Sequence, residues 1–307
     1  MRLLLLCLLT AIGSYLVGTG IMIKANPECD FWNNLEQLRD RSLMQLRESH
    51  PTTPTILFAG GSSCAFSIDP QTVSQVTGIP SINLGGPAHA GTAYLIPRVM
   101  DSARSGDIVV LALEPHFLTN KATQFPTPLG LALLVRQGKL SQAFPHAHRL
   151  RPGAIFLATW IAKCATNKLL YRYDSSHLRP GGRIEHTSSF DPPPSSTKPA
   201  FQLSKQGQQF LQNLSRQASQ RQIKLFYSLP WQFTHTQDAP SIQETNRKLL
   251  ASIGTFIDCL DDPALGVSTS KLDFSDTPNH LSFQGSKSRS KSVASSLRQK
   301  FAPIHSQ

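Results

Sequence analysis

The chain has 307 residues, with 22 prolines, 40% hydrophobic residues and a formal net charge of +11 at pH 7. This length suits one large α/β domain with an insertion, or two modest domains, and the apolar content is sufficient for a globular core. The positive charge is diffuse and forms no basic stripe with interleaved aromatic residues. We therefore do not expect nucleic acid to be a partner.

The densest group of basic residues falls on the last predicted helix and comprises Lys287, Arg289, Lys291, Arg298 and Lys300. Such a group is typical of a solvated helix face. Anionic lipid head groups and acidic glycans are the alternative partners for it. The sequence indicates no oligomeric state.

The cysteines beyond the N-terminal segment are widely scattered, at positions 29, 64, 164 and 259. No pair of them has the spacing of a metal site or a redox motif, so we expect neither a metal nor another cofactor. One disulfide is compatible with an exported chain, and its partners stay open.

The N-terminal stretch predicts export. Residues 3–23 carry no charge and are long enough to span a bilayer, and Arg2 precedes them as in a signal peptide or a positive-inside anchor. The absence of a convincing cleavage site favours a signal-anchor within residues 1–24 over a cleaved signal peptide. We expect the domain to lie outside the cytoplasmic membrane, either anchored to it or, after cleavage, secreted or periplasmic.

Short apolar runs alternate with helical patterns along most of the chain. The runs predict strands at 56–59, 80–84, 107–113, 223–229 and 255–258. The predicted helices include 26–50, which connects the N-terminal segment to the domain, and 70–76, 92–103, 208–220, 241–253 and a last helix to about 301. This alternation predicts right-handed βαβ units and a five-stranded parallel sheet in a flavodoxin-like, three-layer α/β sandwich over residues 55–302.

Residues 118–200 interrupt the alternation and are interpreted as an insertion over one end of the sheet, a cap or lid. Helical patches at Leu129–Arg136 and Ile155–Leu170 are separated by loops rich in Pro, Gly, Ser and His. The insertion is basic in part, through Arg149, Arg151, Arg172, Arg179 and Arg183.

The first strand ends in Gly60-Gly61 and is followed by Ser62, Ser63 and a new helix at Pro70. A strand, a glycine turn and a serine before a helix is how α/β proteins present a nucleophile or hold an anion. Ligands of parallel sheets bind beyond the carboxyl ends of the strands. Polar residues that follow the other strands therefore become candidates for the same site: Asn83, Gly86, Glu114 and His116, with Asp273, Asp276 and His280 from a late loop.

A serine, a histidine and a carboxylate on converging loops are the components of nucleophilic catalysis. In their order along the chain these residues resemble the SGNH (GDSL-type) hydrolases, over about residues 55–300 without the insertion. Gly61-Ser62-Ser63 resembles the Gly-Ser-Ser variant found in membrane-anchored relatives. The resemblance implies that Ser63 is the nucleophile.

The other family blocks imply the remaining roles. Asn83-Leu-Gly-Gly-Pro-Ala88 resembles the second block, which implies oxyanion amides at Ser63 and at Gly86 or Ala88, with Asn83 lining the site. Asn279-His280-Leu281 resembles the last block, which implies that His280 is the general base and takes its carboxylate from Asp276.

Two positions depart from the family pattern. Glu114 stands where the family has an oxyanion asparagine, next to His116, and a carboxylate beside a developing oxyanion is repulsive unless it is protonated or turned away. Asp276 lies four residues before His280, whereas the family spacing is three.

Two functions follow as hypotheses. The first is a serine esterase or O-acyltransferase that acts on an acylated cell-envelope glycan or lipid. The second is an inactive protein of the same fold that serves envelope assembly or glycan binding. The missing P-loop lysine and Rossmann glycine spacing argue against a nucleotide site.

Overall fold

The computed structural model describes residues 2–25, 27–119, 128–138, 171–186, 192–195 and 202–301. Its strands are β1 (Ile56–Gly60), β2 (Ser81–Asn83), β3 (Ile108–Ala112), β4 (Lys224–Tyr227), β5 (Gln232–Phe233), β6 (Asp258–Cys259) and β7 (Val267–Ser268). The main sheet has the order β2-β1-β3-β4-β6 with all neighbours parallel, and β5 pairs with β7 in a small second sheet. Counted along the chain, the five main strands follow the flavodoxin-like order 2-1-3-4-5. The prediction of a five-stranded parallel α/β sheet is confirmed.

The helices are α1 (Arg2–Ala25), α2 (Pro27–Ser49), α3 (Ser62–Ser67), α4 (Pro70–Thr77), α5 (Thr92–Ser102), α6 (His116–Thr119), α7 (Pro128–Arg136), α8 (Lys205–Gln220), α9 (Ala239–Ile253) and α10 (Phe283–Phe301). They cover both faces of the sheet, because alternate strand residues point to opposite sides. Leu57 and Val109 pack with α2, α5 and α8, whereas Phe58 and Val110 pack with α4 and α10. The carboxyl ends of β1 and β3 thus meet at one edge of a well-packed sandwich.

The last strand of the main sheet begins later than the sequence predicts, at Asp258 instead of residue 255. The amides of Phe256 and Ile257 both donate to the carbonyl of Ile253, at 2.9 and 3.1 Å. The chain is therefore still completing the last turn of α9 where the apolar pattern predicts a strand.

The insertion is described in part. Helix α7 confirms the predicted helical patch at 129–136, and the patch at 155–170 lies outside the described residues. Residues 171–186 pack against the body of the domain: the amide of Ile184 donates to the carbonyl of Ala65 (2.9 Å), and Arg39 donates to that of Gly182 (2.9 Å). This segment is thereby fixed beside α3.

The uncharged N-terminal stretch lies on α1, where Leu3 to Leu6 are exposed. In the part of the chain that the structure describes, no helix combines the length and the apolar character needed to cross a membrane.

No disulfide joins the described cysteines, Cys7, Cys29, Cys64 and Cys259, to one another, and Cys164 lies outside the described residues. Burial raises the pKa of Cys29 and of Cys259 to about 12. These two thiols are therefore protonated at neutral pH and act as small apolar groups.

A buried ion cluster joins α2 to the sheet domain. Arg39 is fully buried and donates to one oxygen of Glu36 (2.8 Å), while Arg98 of α5 donates to the other. Burial acts to raise the pKa of Glu36, but the charges of Arg98 and Arg39 outweigh it and hold this pKa below its ordinary value. Glu36 is the shared counter-charge of two buried guanidinium groups.

We expect Glu36→Ala to lower the free energy of unfolding by about 3–5 kcal/mol, because it leaves Arg39 buried without a counter-charge and Arg98 with only the exposed Asp40. Asp40→Ala is the matched control. Asp40 also accepts from Arg98 (2.6 Å), but its side chain is 66% exposed, so the loss should stay below about 1 kcal/mol. Urea unfolding of both variants measures the difference, and equal losses would contradict the role given to Glu36.

Candidate active site

The turn after β1 places Ser62 at the carboxyl edge of the sheet. Strand β1 ends at Gly60 and helix α3 begins at Ser62. A Cβ atom on Gly60 would lie 2.2 Å from the carbonyl oxygen of Ala112 on β3, so the close approach of the two strands requires glycine here. The serine that follows is held next to the end of β3.

A chain of side-chain hydrogen bonds joins Ser62, His280 and Asp276. Ser62 Oγ lies 3.0 Å from His280 Nε2, and His280 Nδ1 lies 3.0 Å from Asp276 Oδ1. With the proton on Nδ1, the imidazole donates to the carboxylate and accepts from the serine hydroxyl. This is the arrangement in which histidine acts as a general base towards serine.

A short hairpin positions the histidine and the carboxylate. Phe274 and Leu281 form an antiparallel bridge, and the amide of Ser275 donates to the carbonyl of His280 (2.8 Å). The residues between them loop out, so the four-residue spacing of Asp276 and His280 still brings the two side chains together. The extra residue is accommodated at the tip of this hairpin.

The imidazole of His280 is also held from one side by an aromatic ring. Its ring lies parallel to that of Phe66 on α3, with centroids 4.0 Å apart and an interplanar angle of 4°. His280 is 8% exposed and Asp276 is 4% exposed, so their hydrogen bond is largely shielded from water. Stacking and burial together limit the rotation of the ring.

Asp276 accepts two further hydrogen bonds, both from the insertion. The hydroxyl of Tyr173 donates to Asp276 Oδ2 (2.5 Å), and Arg172 donates to the same oxygen (2.8 Å). Burial acts to raise the pKa of Asp276, but the hydrogen bond and charge of His280, followed by the bonds from Tyr173 and Arg172, hold this pKa well below its ordinary value. Asp276 is therefore an ionised carboxylate at neutral pH.

Ser63 does not face His280, and the prediction that Ser63 pairs with this histidine is corrected. Its side chain is fully buried, and its Oγ has no hydrogen-bond partner among the described residues. Successive residues of a helix are rotated by about 100°, so when α3 begins at Ser62 one hydroxyl faces the hairpin and the next turns inward. The hydroxyl in the site belongs to Ser62.

The prediction of which backbone amides bind the oxyanion is also corrected in part. The amide of Gly86 donates to the carbonyl of Gly60 (2.9 Å), and that of Ser63 is bound by a carboxylate, so neither faces an open space. Ala88 begins a short 3₁₀ turn, Ala88–Ala90. The amide of Ser62 itself has no acceptor among the described residues.

The residues expected to line the site take different positions. The amide group of Asn83 donates to the carbonyls of Cys64 (2.8 Å) and Ile68 (2.9 Å), so Asn83 braces α3. His116 is exposed at the start of α6, with its ring beside that of the next residue. Glu114 lies at the end of β3 against the serine turn.

Tyr173 and Arg172 were not identified as site residues from the sequence. Arg172 stands out there only as one of several basic residues of the insertion, and Tyr173 follows it without a motif. The contact of both with Asp276 spans more than a hundred residues of chain, and no local pattern encodes it.

Within the described residues, no group of three or more His, Cys, Asp or Glu is arranged to hold a metal ion. Comparison of the sequence with models of protein families finds no match, and comparison with curated proteins finds none. The site is accordingly interpreted from its own geometry.

We expect Tyr173→Phe to raise the pKa of Asp276, because the carboxylate loses a short hydrogen bond to its charged form. In the unchanged protein the NMR resonance of the Asp276 carboxyl carbon should stay constant from pH 7 down to about pH 4. The lower limit is close to the ordinary pKa of an aspartate. Tyr171→Phe is the matched control, since the Tyr171 hydroxyl bonds Trp32. An equal shift in both variants, or none in Tyr173→Phe, would contradict the assignment.

The lowered pKa of Asp276 also makes the stability of the fold depend on pH. The pKa of Asp276 is lower in the folded chain than in the unfolded chain, so its ionised form stabilises the fold above the ordinary aspartate pKa. That contribution to stability is lost as the pH falls towards the pKa of Asp276 in the folded chain.

Proposed function

We propose that this protein is a serine-dependent esterase or O-acyltransferase of the SGNH type. The observation that carries the proposal is the continuous hydrogen-bonded chain from Ser62 through His280 to Asp276. Ser62 is the nucleophile, His280 the general base and Asp276 the group that fixes the histidine tautomer.

The reaction follows from this geometry. His280 Nε2 takes the hydroxyl proton while Ser62 Oγ attacks the carbonyl carbon of an ester. The protonated imidazole, stabilised by Asp276, then returns the proton to the leaving alcohol, and an acyl-enzyme ester remains on Ser62. Water or an acceptor hydroxyl, deprotonated by the same histidine, attacks this ester and regenerates the serine. The amide of Ser62, which has no acceptor among the described residues, is a backbone donor available to the oxyanion.

With Ser62 as the nucleophile, the serine motif shifts by one residue from the Gly61-Ser62-Ser63 match that implied Ser63. Gly60-Gly61-Ser62 then supplies a Gly-x-Ser pattern at the end of the first strand, and the Ser62 hydroxyl lies within hydrogen-bond distance of His280. The substrate class, an acylated glycan or lipid of the cell envelope, rests on the uncharged N-terminal stretch that predicts export.

A second function, binding without catalysis, is favoured by one specific feature. The carboxylate of Glu114 lies against the serine turn and occupies the amide of Ser63, and the amide of Gly86 is occupied as well. An enzyme with few free oxyanion donors and a nearby negative charge loses transition-state stabilisation. A binding protein of the same fold would tolerate both.

Labelling with a fluorophosphonate probe separates the two functions. We expect the unchanged protein to label and to hydrolyse an activated ester, and Ser62→Ala to lose both, with turnover falling at least about 10³-fold. The matched control is Ser63→Ala. Because the Ser63 hydroxyl has no partner among the described residues, this variant should keep labelling and turnover within about threefold. Unchanged protein that neither labels nor turns over esters would exclude the esterase, and loss of labelling in Ser63→Ala alone would reassign the nucleophile.

A further inference from the structure

Glu114 makes an unusual contact with the turn that carries Ser62. The residue stands two positions after the end of β3 and is 8% exposed. Its Oε2 accepts from the amide of Gly61 (3.1 Å), and its Oε1 accepts from the amide of Ser63 (3.2 Å). The two oxygens of one carboxylate thus hold the residues on both sides of the nucleophile.

The backbone is shaped to admit this carboxylate. A Cβ atom on Gly61 would lie 2.3 Å from Glu114 Oε1 and 2.5 Å from Oε2. Glycine is therefore needed at this position for Glu114 to lie against the main chain. Among the described residues, no lysine, arginine or histidine forms an ion pair with Glu114, so the two backbone amides are its principal partners.

Glu114 is itself held in place. The amide of Phe117 donates to the Glu114 carbonyl (3.0 Å), and the Tyr227 hydroxyl donates to the carbonyl of Leu113 (2.8 Å). Because β3 lies inside the sheet between β1 and β4, the carboxylate is presented from a rigid element. A bidentate contact from such an element fixes the orientation of the Gly60–Gly61 and Ser62–Ser63 peptide groups, one on each side of the Ser62 Cα atom.

We propose that Glu114 is a positioning residue for the nucleophile, an inference that rests on the proposed esterase or acyltransferase function. By binding the amides on either side, Glu114 directs the Ser62 hydroxyl towards His280 and leaves the Ser62 amide for the oxyanion. The carboxylate acts through the backbone and takes no proton in the reaction. The negative charge is directed at the N–H groups of Gly61 and Ser63 and away from the reacting carbonyl.

A double-mutant cycle tests this role. Glu114→Ala removes the carboxylate, and Gly61→Ala displaces it by the added Cβ atom. We expect each to lower kcat for an activated ester about 10–100-fold with little change in KM, since a misplaced nucleophile slows chemistry more than binding. The double variant should be no slower than the slower single variant, because both changes break the same contact. Additive losses, or an unchanged kcat in Glu114→Ala, would overturn the proposal.

Glu114→Gln is the conservative variant and the alternative if Glu114→Ala does not fold. The glutamine side chain accepts from one backbone N–H through its oxygen and presents its own N–H₂ group to the other. We therefore expect a kcat between that of the unchanged protein and that of Glu114→Ala. A loss of stability without a change in kcat in this variant would assign Glu114 a merely structural role.

A second readout does not depend on turnover. The ¹⁵N resonances of the His280 imidazole report its contact with Ser62, and Ser62→Ala gives the reference spectrum without that contact. Glu114→Ala should shift the His280 resonances towards this reference if Glu114 positions Ser62, and unchanged resonances would overturn the proposal. If the unchanged protein neither labels nor turns over esters, the proposed function fails, while the spectra still decide whether Glu114 positions the serine.

Discussion

The hydrogen bond between Ser62 and His280 joins residues 218 positions apart, and its geometry depends on how tightly two parts of the fold are held. Ser62 is fixed because β1 and β3 approach so closely that Gly60 admits no side chain. His280 is fixed because its hairpin leads directly into α10, which packs through Val293 and Leu297 against the sheet face that carries Phe58. Both side chains are therefore positioned by the core of the sandwich.

The backbone N–H groups around Ser62 are distributed among competing acceptors. Glu114 takes those of Gly61 and Ser63, and the carbonyl of Gly60 takes that of Gly86. Removing one oxyanion donor from a serine hydrolase costs about 3–4 kcal/mol of transition-state stabilisation. A serine hydrolase with the Gly86 and Ser63 amides occupied should therefore be slower than one in which both face the oxyanion.

The fold and half of the site were predictable from the sequence, because both depend on local patterns. Apolar runs of strand length and glycine turns between helices specify the parallel sheet, and its carboxyl edge collects His280 and Asp276. The choice between Ser62 and Ser63 depends on the residue at which α3 begins, and helix boundaries are not encoded to one residue by an apolar pattern. The hydrogen bond that occupies the Gly86 amide depends on how β1 and the loop after β2 meet, which is tertiary information.

The insertion contributes to the site in a way that its composition does not show. Tyr173 and Arg172 reach Asp276 because the segment from 171 to 186 is fixed to α3 and α2. Each hydrogen bond that Asp276 accepts from them lowers the proton affinity of the carboxylate, so it remains charged in a buried position. The same bonds hold in place the carboxylate that accepts from His280 Nδ1, and so they help to fix the imidazole. The insertion therefore contributes to the site by orienting the histidine through its carboxylate partner.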